Sequence, residues 1–91
     1  MADFMMVMMG SASIGDWETY TRKLVESGKL RGGSSLGRGV RVCKSQIDGE
    51  CSVTGYLRFV ADDLDAARTL LAGNPLYEAG GCIEILEEIP D

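Results

Sequence analysis

The sequence predicts one α+β domain in which an antiparallel sheet is covered on one face by two helices. Extended and helical patterns alternate along the chain in the order β-α-β-β-α-β. The 91 residues suffice for one hydrophobic core and not for two. With 45% hydrophobic and 25% charged residues, the composition is that of an ordinary globular protein. We therefore expect residues 1–91 to form a single domain.

The first strand and the first helix are predicted from the N-terminal third of the chain. Residues 4–9 form an apolar run that ends at Gly10, so both faces of this strand are expected to be covered. Ser13 and Asp16 then resemble a capping box, and Gly28 is a typical helix stop. The apolar face between them contains Trp17, Tyr20 and Leu24.

The next two strands are predicted as a hairpin. Residues 31–35 are typical of a loop, and residues 36–44 form an extended segment. Asp48-Gly49 is a strong signal for a two-residue turn, after which residues 51–60 form the third strand. This turn sets Arg41 opposite Tyr56.

The second helix and the last strand complete the pattern. Asp62 and Asp63 cap a helix that ends at residues 73–75, and residues 82–88 form the fourth strand. One stripe of this helix is apolar and contains Leu64, Ala67 and Leu71. The order of elements is that of the ferredoxin-like fold, whose antiparallel sheet has the strand order 4-1-3-2.

The predicted register separates an apolar from a polar sheet face. The side expected beneath the helices carries Val40, Val42, Val53, Leu57, Phe59, Ile83 and Ile85. The opposite side carries Arg41, Cys43, Thr54, Tyr56, Arg58, Cys82, Glu84 and Leu86.

The central first strand predicts that the face without helices is also covered. Phe4, Met6 and Met8 alternate with Met5, Val7 and Met9, so either register leaves three large apolar side chains on the far side. Leaving them in water would forfeit several kcal/mol, at about 25 cal/mol per Å² of apolar surface. We expect a second copy to cover this face, which would make a homodimeric α/β barrel.

Composition excludes several classes of function. The chain contains no histidine, which excludes Ser-His-Asp and Cys-His catalysis and His-ligated metals within it. A net charge of -5 argues against nucleic-acid binding. Three cysteines without C-x-x-C spacing indicate neither a disulfide framework nor a zinc ribbon, so a cytoplasmic protein without cofactor or membrane span is expected.

Four segments resemble the YCII-related, or DGPF-domain, family. They are Trp17-x-x-Tyr20, LVESGKLRGGSSL at 24–36, GYLRFVADDLDAA at 55–67 and NPLYEAGGCIEI at 74–85. The resemblance implies a bacterial, homodimeric, ferredoxin-like barrel with a pocket, and a few members are linked to turnover of chlorinated or hydroxylated aromatic compounds. The family's catalytic His is absent, and Asp48-Gly49 is followed by Glu50-Cys51 in place of Pro-Phe.

The polar side of the sheet contains the candidate site residues. Arg41 and Arg58 are candidates for binding a carboxylate or phenolate, with Tyr56 as hydrogen-bond donor or proton relay and Glu84 as general base. Cys43 beside Arg41 is a further ligand-binding candidate, although a small buried residue is the commoner role. The structural alternative is an ion pair of Glu84 with Arg58 or Arg41.

Two functional hypotheses follow. The first is a small anionic or aromatic metabolite bound on the non-helical face of the sheet, with cofactor-free lyase or isomerase chemistry. The second is a non-enzymatic dimerisation or regulatory module that uses the same face.

Overall fold

The computed structural model describes residues 1–10 and 15–90. The elements in chain order are β1 (Ala2–Met9), α1 (Trp17–Glu26), β2 (Leu30–Ser35), β3 (Val40–Arg41), β4 (Gly49–Glu50), β5 (Val53–Ala61), α2 (Leu64–Thr69), α3 (Pro75–Glu78) and β6 (Cys82–Glu87).

The main sheet has four strands in the order β2-β5-β1-β6, and every neighbouring pair is antiparallel. The fold is therefore α+β and is compatible with the ferredoxin-like arrangement. β1 is an inner strand that pairs with β5 on one side and with β6 on the other. No helix within the described ranges has the length and apolar character needed to cross a bilayer.

The core lies between the sheet and the helices. Phe4, Met6 and Met8 of β1 are buried, and the ring of Phe4 stacks on Phe59 with centroids 5.9 Å apart. The helices contribute further buried side chains to this layer, Tyr20, Leu24, Ala67 and Leu76. The alternation in β1 thus places its even-numbered residues beneath the helices.

Aspartates cap the first two helices, at Asp63 as predicted and at Asp16, which is the N-cap itself and not the third residue of a helix that starts after Ser13. The Asp16 carboxylate accepts a hydrogen bond from the Thr19 amide at 2.9 Å, and Asp63 accepts one from the Ala66 amide at 2.8 Å. The proposed role of Ser13 lies outside the described residues. Gly28 follows the α1 C-cap with φ +75°, a left-handed conformation that glycine adopts without strain.

The second strand of the sheet lies earlier in the chain than the sequence pattern predicts. β2 comprises Leu30–Ser35, most of which was expected to be a loop, and the expected strand at residues 36–44 is not in the main sheet. The short side chains of β2 do not form the apolar alternation by which strands are predicted. They allow the backbone of β2 to pair closely with that of β5. A Cβ on Gly33 would lie 2.5 Å from the Tyr56 carbonyl oxygen.

A separate hairpin replaces the predicted two-residue turn. Val40 pairs with Glu50 and Arg41 with Gly49, so residues 42–48 connect β3 to β4. We call residues 36–52, which contain this hairpin, the arm. Val40 and Val42 are exposed there, so their predicted place beneath the helices is wrong. A bulge between Met8 and Met9 sets Val53 opposite Met9. Val53 therefore lies on the face without helices, and its predicted place beneath the helices is wrong as well.

Candidate functional site

The sheet face without helices, which we call the open face, contains three of the predicted site residues. Ser34, Tyr56, Val7 and Glu84 form one row across the four strands. Arg58 lies in the next row, between Gly32 and Met5. Tyr56 and Glu84 flank the same β1 residue, and strands two apart lie about 10 Å from each other. The structure therefore places Tyr56, Arg58 and Glu84 on one surface, as predicted.

Arg58 is engaged by a carboxylate other than the predicted one. Its Nε donates to Glu88 Oε1 at 2.8 Å and its Nη2 to Glu88 Oε2 at 3.0 Å. Glu88 follows β6, and its amide donates to the Asp3 carbonyl, so the ion pair crosses over β1. The predicted pairing with Glu84 is wrong because Glu88, four residues further along, reaches the guanidinium with both oxygens.

This ion pair shifts the pKa of both partners. The hydrogen bonds from Arg58 lower the pKa of Glu88 below its usual value, and those to Glu88 raise the pKa of Arg58. With Nε and Nη2 both occupied, the guanidinium is held in one orientation. The arrangement favours the structural alternative for Arg58 over an anion-binding one.

Arg41 and Cys43 lie on the arm and not on the sheet. Arg41 is exposed and pairs with Gly49, and the half-buried Cys43 donates its amide to Asp48 Oδ1 at 3.4 Å. The predicted register of Arg41 opposite Tyr56 is wrong, because Ser34 of β2 occupies that position. The two residues are therefore not grouped with Tyr56, Arg58 and Glu84 on the sheet.

A concave region, which we call the cleft, lies between the start of α1 and the sheet. Its volume is about 370 Å³. The lining residues are Met8, Gly10, Trp17, Thr21, Ser34, Ser35, Thr54, Gly55, Tyr56, Leu57 and Leu76. Tyr56 borders it, whereas the other four predicted site residues do not line it.

Small residues of the sheet leave the space that the cleft occupies. Ser35 of β2 pairs with Gly55 of β5, which pairs in turn with Met8 of β1. A Cβ on Gly55 would lie 3.3 Å from Met8 Cε, so a larger residue would crowd the floor of the cleft. On the helical side, Trp17 and Thr21 stand one turn apart at the start of α1.

Two contacts position the apolar walls of the cleft. The Trp17 ring meets Tyr20 edge-on, with centroids 6.3 Å apart and planes at 76°. Leu76 is the second residue of α3, and its amide donates to the buried Asn74 side chain at 3.0 Å. Both walls are therefore attached to side chains of the core, since Tyr20 is buried as well.

The polar side chains of the cleft are hydroxyls. Thr21, Ser35 and Thr54 line it, and none of the described lining residues is an acid, a lysine or an arginine. Ser34 also borders it, but its side chain belongs to the row on the open face, and its hydroxyl donates to the Ser35 carbonyl. The Thr54 hydroxyl already donates to the Gly10 carbonyl. Among the described residues, no three His, Cys, Asp or Glu side chains converge on a possible metal site.

The sequence contains a signal for the cleft, in small residues of two segments that become neighbouring strands. Gly32, Gly33, Ser34 and Ser35 are small residues in succession, and Gly55 adds another in the neighbouring strand. Such residues leave room above a sheet when an aromatic side chain faces them, as Trp17 does here. Strand pairing was needed to bring these separate segments together.

Comparison of the chain with protein-family models, with curated proteins and with solved structures found no match. The resemblance to the YCII-related family therefore stays a prediction.

Proposed function

We propose that this protein binds a small, uncharged aromatic metabolite in the cleft. The observation that carries the proposal is the lining itself, which combines an indole ring and aliphatic side chains with hydroxyls and no formal charge. A volume of about 370 Å³ lies within the range of roughly 300–1,000 Å³ that is common for small-molecule sites. A one-ring compound with a hydroxyl substituent fits this chemistry.

The residues that line the cleft favour a neutral ligand. The sequence alone leaves an anionic metabolite as an equal possibility. Arg58 is bound to Glu88 and Arg41 lies on the arm, so neither lines the cleft. A carboxylate transferred into an apolar pocket without a cationic partner would lose hydration that hydroxyls do not replace. The aromatic compounds suggested by the YCII-type resemblance agree with this choice.

Binding is better supported than catalysis. Lyase or isomerase chemistry without a cofactor needs a general base within hydrogen-bond reach of the substrate. Glu84, the proposed base, lies on β6 and does not line the cleft. Thr21 and Ser35 supply hydrogen bonds that orient a ligand hydroxyl, which is a binding role.

We further propose that a second copy of the chain covers the open face, as in a dimeric α/β barrel. A monomer of this mass is expected to expose about 5,200 Å², whereas the chain exposes 6477 Å². The excess, roughly 1,300 Å², is more than the ~800 Å² that each partner buries in a standard interface. Met5, Val7 and Met9 run along the middle of this face.

The intrinsic fluorescence of Trp17 provides a direct test of ligand binding. It is the single tryptophan of the chain and it lines the cleft. Titration with catechol is expected to change its emission saturably, and benzoate, a one-ring anion, is expected to bind at least tenfold more weakly. Thr21→Leu, which fills the cleft, should abolish the catechol response, whereas Thr69→Leu on α2 should retain it.

Two results would contradict the binding proposal. One is the absence of a saturable response to phenol, catechol and 4-chlorophenol; the other is an unchanged response in Thr21→Leu. If no probe binds while the protein is dimeric, the second hypothesis, an interaction module without a ligand, is supported instead. The apolar row of Met5, Val7 and Met9 on the open face favours that alternative.

A further inference from the structure

The arm is the one part of the described chain that stands apart from the main sheet and its helices. β3 and β4 pair with each other in a separate two-stranded sheet. Of residues 36–52, only Cys43 and Gly49 are even half-buried. The Leu36 amide donates to the Thr54 carbonyl at 2.9 Å, which joins the base of the arm to the end of β5.

The dimensions of the molecule agree with an arm that projects from the sheet. The radius of gyration is 14.2 Å, whereas a compact chain of this length is expected to have about 12 Å. The molecule measures 43 × 37 × 19 Å, and four strands at ~4.8 Å spacing account for about 19 Å of width. Much of the remaining extent lies outside the sheet.

Large apolar side chains on the arm have no cover within the described chain. Val40 is 63% exposed, Val42 72% and Ile47 92%. Leu36 at its base is exposed as well. Single exposed apolar residues are common, but several on one projecting hairpin indicate a surface that is buried in an assembly.

The charge of the arm differs from that of the rest of the chain. It contains three basic residues, Arg38, Arg41 and Lys44, and two acidic ones, Asp48 and Glu50. The net charge of the arm is therefore +1. Because the whole chain has a net charge of -5, the remainder of the chain has a net charge of -6. The remainder of every copy is therefore net acidic, opposite in sign to the arm.

We propose that the arm of each subunit packs against a second copy of this chain. The proposal rests on the dimer proposed above and assigns to it a second contact region beside the open face. The open face spans only about 19 Å by 26 Å. The exposed apolar side chains of the arm add buried area to the interface, and its cations face the acidic body of the partner.

A triple variant of exposed arm residues tests this proposal. Val40→Ser, Val42→Ser and Ile47→Ser together remove apolar surface that is exposed in the single chain, so the subunit is expected to fold normally. Sedimentation equilibrium should show a dimer dissociation constant at least tenfold above that of the unmodified protein. Val25→Ser with Leu64→Ser, two exposed apolar positions on the helices, is the matched control and should leave the constant unchanged.

The outcomes separate this proposal from the dimer on which it rests and from the ligand proposal. If the triple variant dimerises as tightly as the unmodified protein, the arm proposal is wrong and the dimer stands. If the unmodified protein is monomeric, both the dimer and the arm contact are wrong. Catechol binding at the cleft, measured by Trp17 fluorescence on the same samples, reports the ligand proposal independently. Added salt should also raise the dimer dissociation constant. This salt dependence should be smaller in the double variant Arg41→Ser with Lys44→Ser.

Discussion

At the scale of single residues, Asn74 connects the core with the cleft. It is completely buried, and its Oδ1 accepts hydrogen bonds from the amides of Leu76 and Tyr77 at 3.0 and 3.1 Å. Its Nδ2 faces the sulfur atoms of Met6 and Met8 at 3.5 and 3.9 Å. A polar side chain at this depth is stabilising only while these partners are present.

Replacing Asn74 is therefore expected to destabilise the fold. Asn74→Ala removes the α3 cap and leaves buried amides without an acceptor, which should cost about 2–4 kcal/mol of unfolding free energy. Asn74→Ser retains a capping oxygen and should lose less. Urea denaturation followed by Trp17 emission measures both variants. A loss below about 0.5 kcal/mol in Asn74→Ala, which is the spread of ordinary surface substitutions, would contradict this role.

The Arg58–Glu88 ion pair predicts a specific acid sensitivity. Because the pKa of Glu88 is lowered in the folded chain from 4.5, its contribution is complete above that pH and is lost as pH falls through the lowered value. The unfolding free energy of the unmodified protein should therefore fall more steeply, as pH decreases below about 4.5, than that of Glu88→Gln.

Removal of the cationic partner provides the check on this pH dependence. Arg58→Met should flatten the pH profile to the same degree as Glu88→Gln, and the double variant should add nothing further. Denaturation at one fixed protein concentration measures all four proteins. Equal slopes in the unmodified protein and in Glu88→Gln would show that the ion pair does not stabilise the fold.

At the scale of secondary-structure elements, side-chain periodicity located the parts of the fold that bury an apolar face. β5 and β6 alternate clearly, β1 is a continuous apolar run, and aspartates mark the starts of α1 and α2, so these elements were predicted to within a few residues. The α+β class and the antiparallel sheet followed from them. The placement of Tyr56, Arg58 and Glu84 on one face followed from the same alternation.

Side-chain periodicity did not predict the strands whose position is determined by backbone pairing. β2 is mostly exposed and consists of small or polar residues, so it has little apolar pattern to detect. The residues with the clearest alternation, Val40 and Val42, lie on the arm, whose apolar side chains are not covered by its own chain. This error moved Arg41 and Cys43 onto the sheet, and it hid the row of small residues that forms the cleft.

At the scale of the whole molecule, the described chain has the form of half a layered structure. It is 19 Å thick in its shortest dimension, which accommodates one sheet and one layer of helices. Helices cover one face of β1, whereas the opposite face carries Met5, Val7 and Met9 with no second layer. An inner strand that is apolar on both faces is characteristic of a sheet covered on both sides.

A lysine on the open face is expected to prevent assembly of the proposed dimer. Leu86 lies in the row of Arg58 and Met5 and is 52% exposed in the single chain, so Leu86→Lys should leave the subunit folded. In the dimer the new charge would be buried against apolar side chains, and the dissociation constant should rise at least tenfold. Leu64, also 52% exposed but on α2, provides the matched control Leu64→Lys. Sedimentation equilibrium compares the three proteins, with thermal unfolding as the check that each is folded. Equal dimerisation of the two lysine variants would place the interface elsewhere, because only Leu86 belongs to the open face.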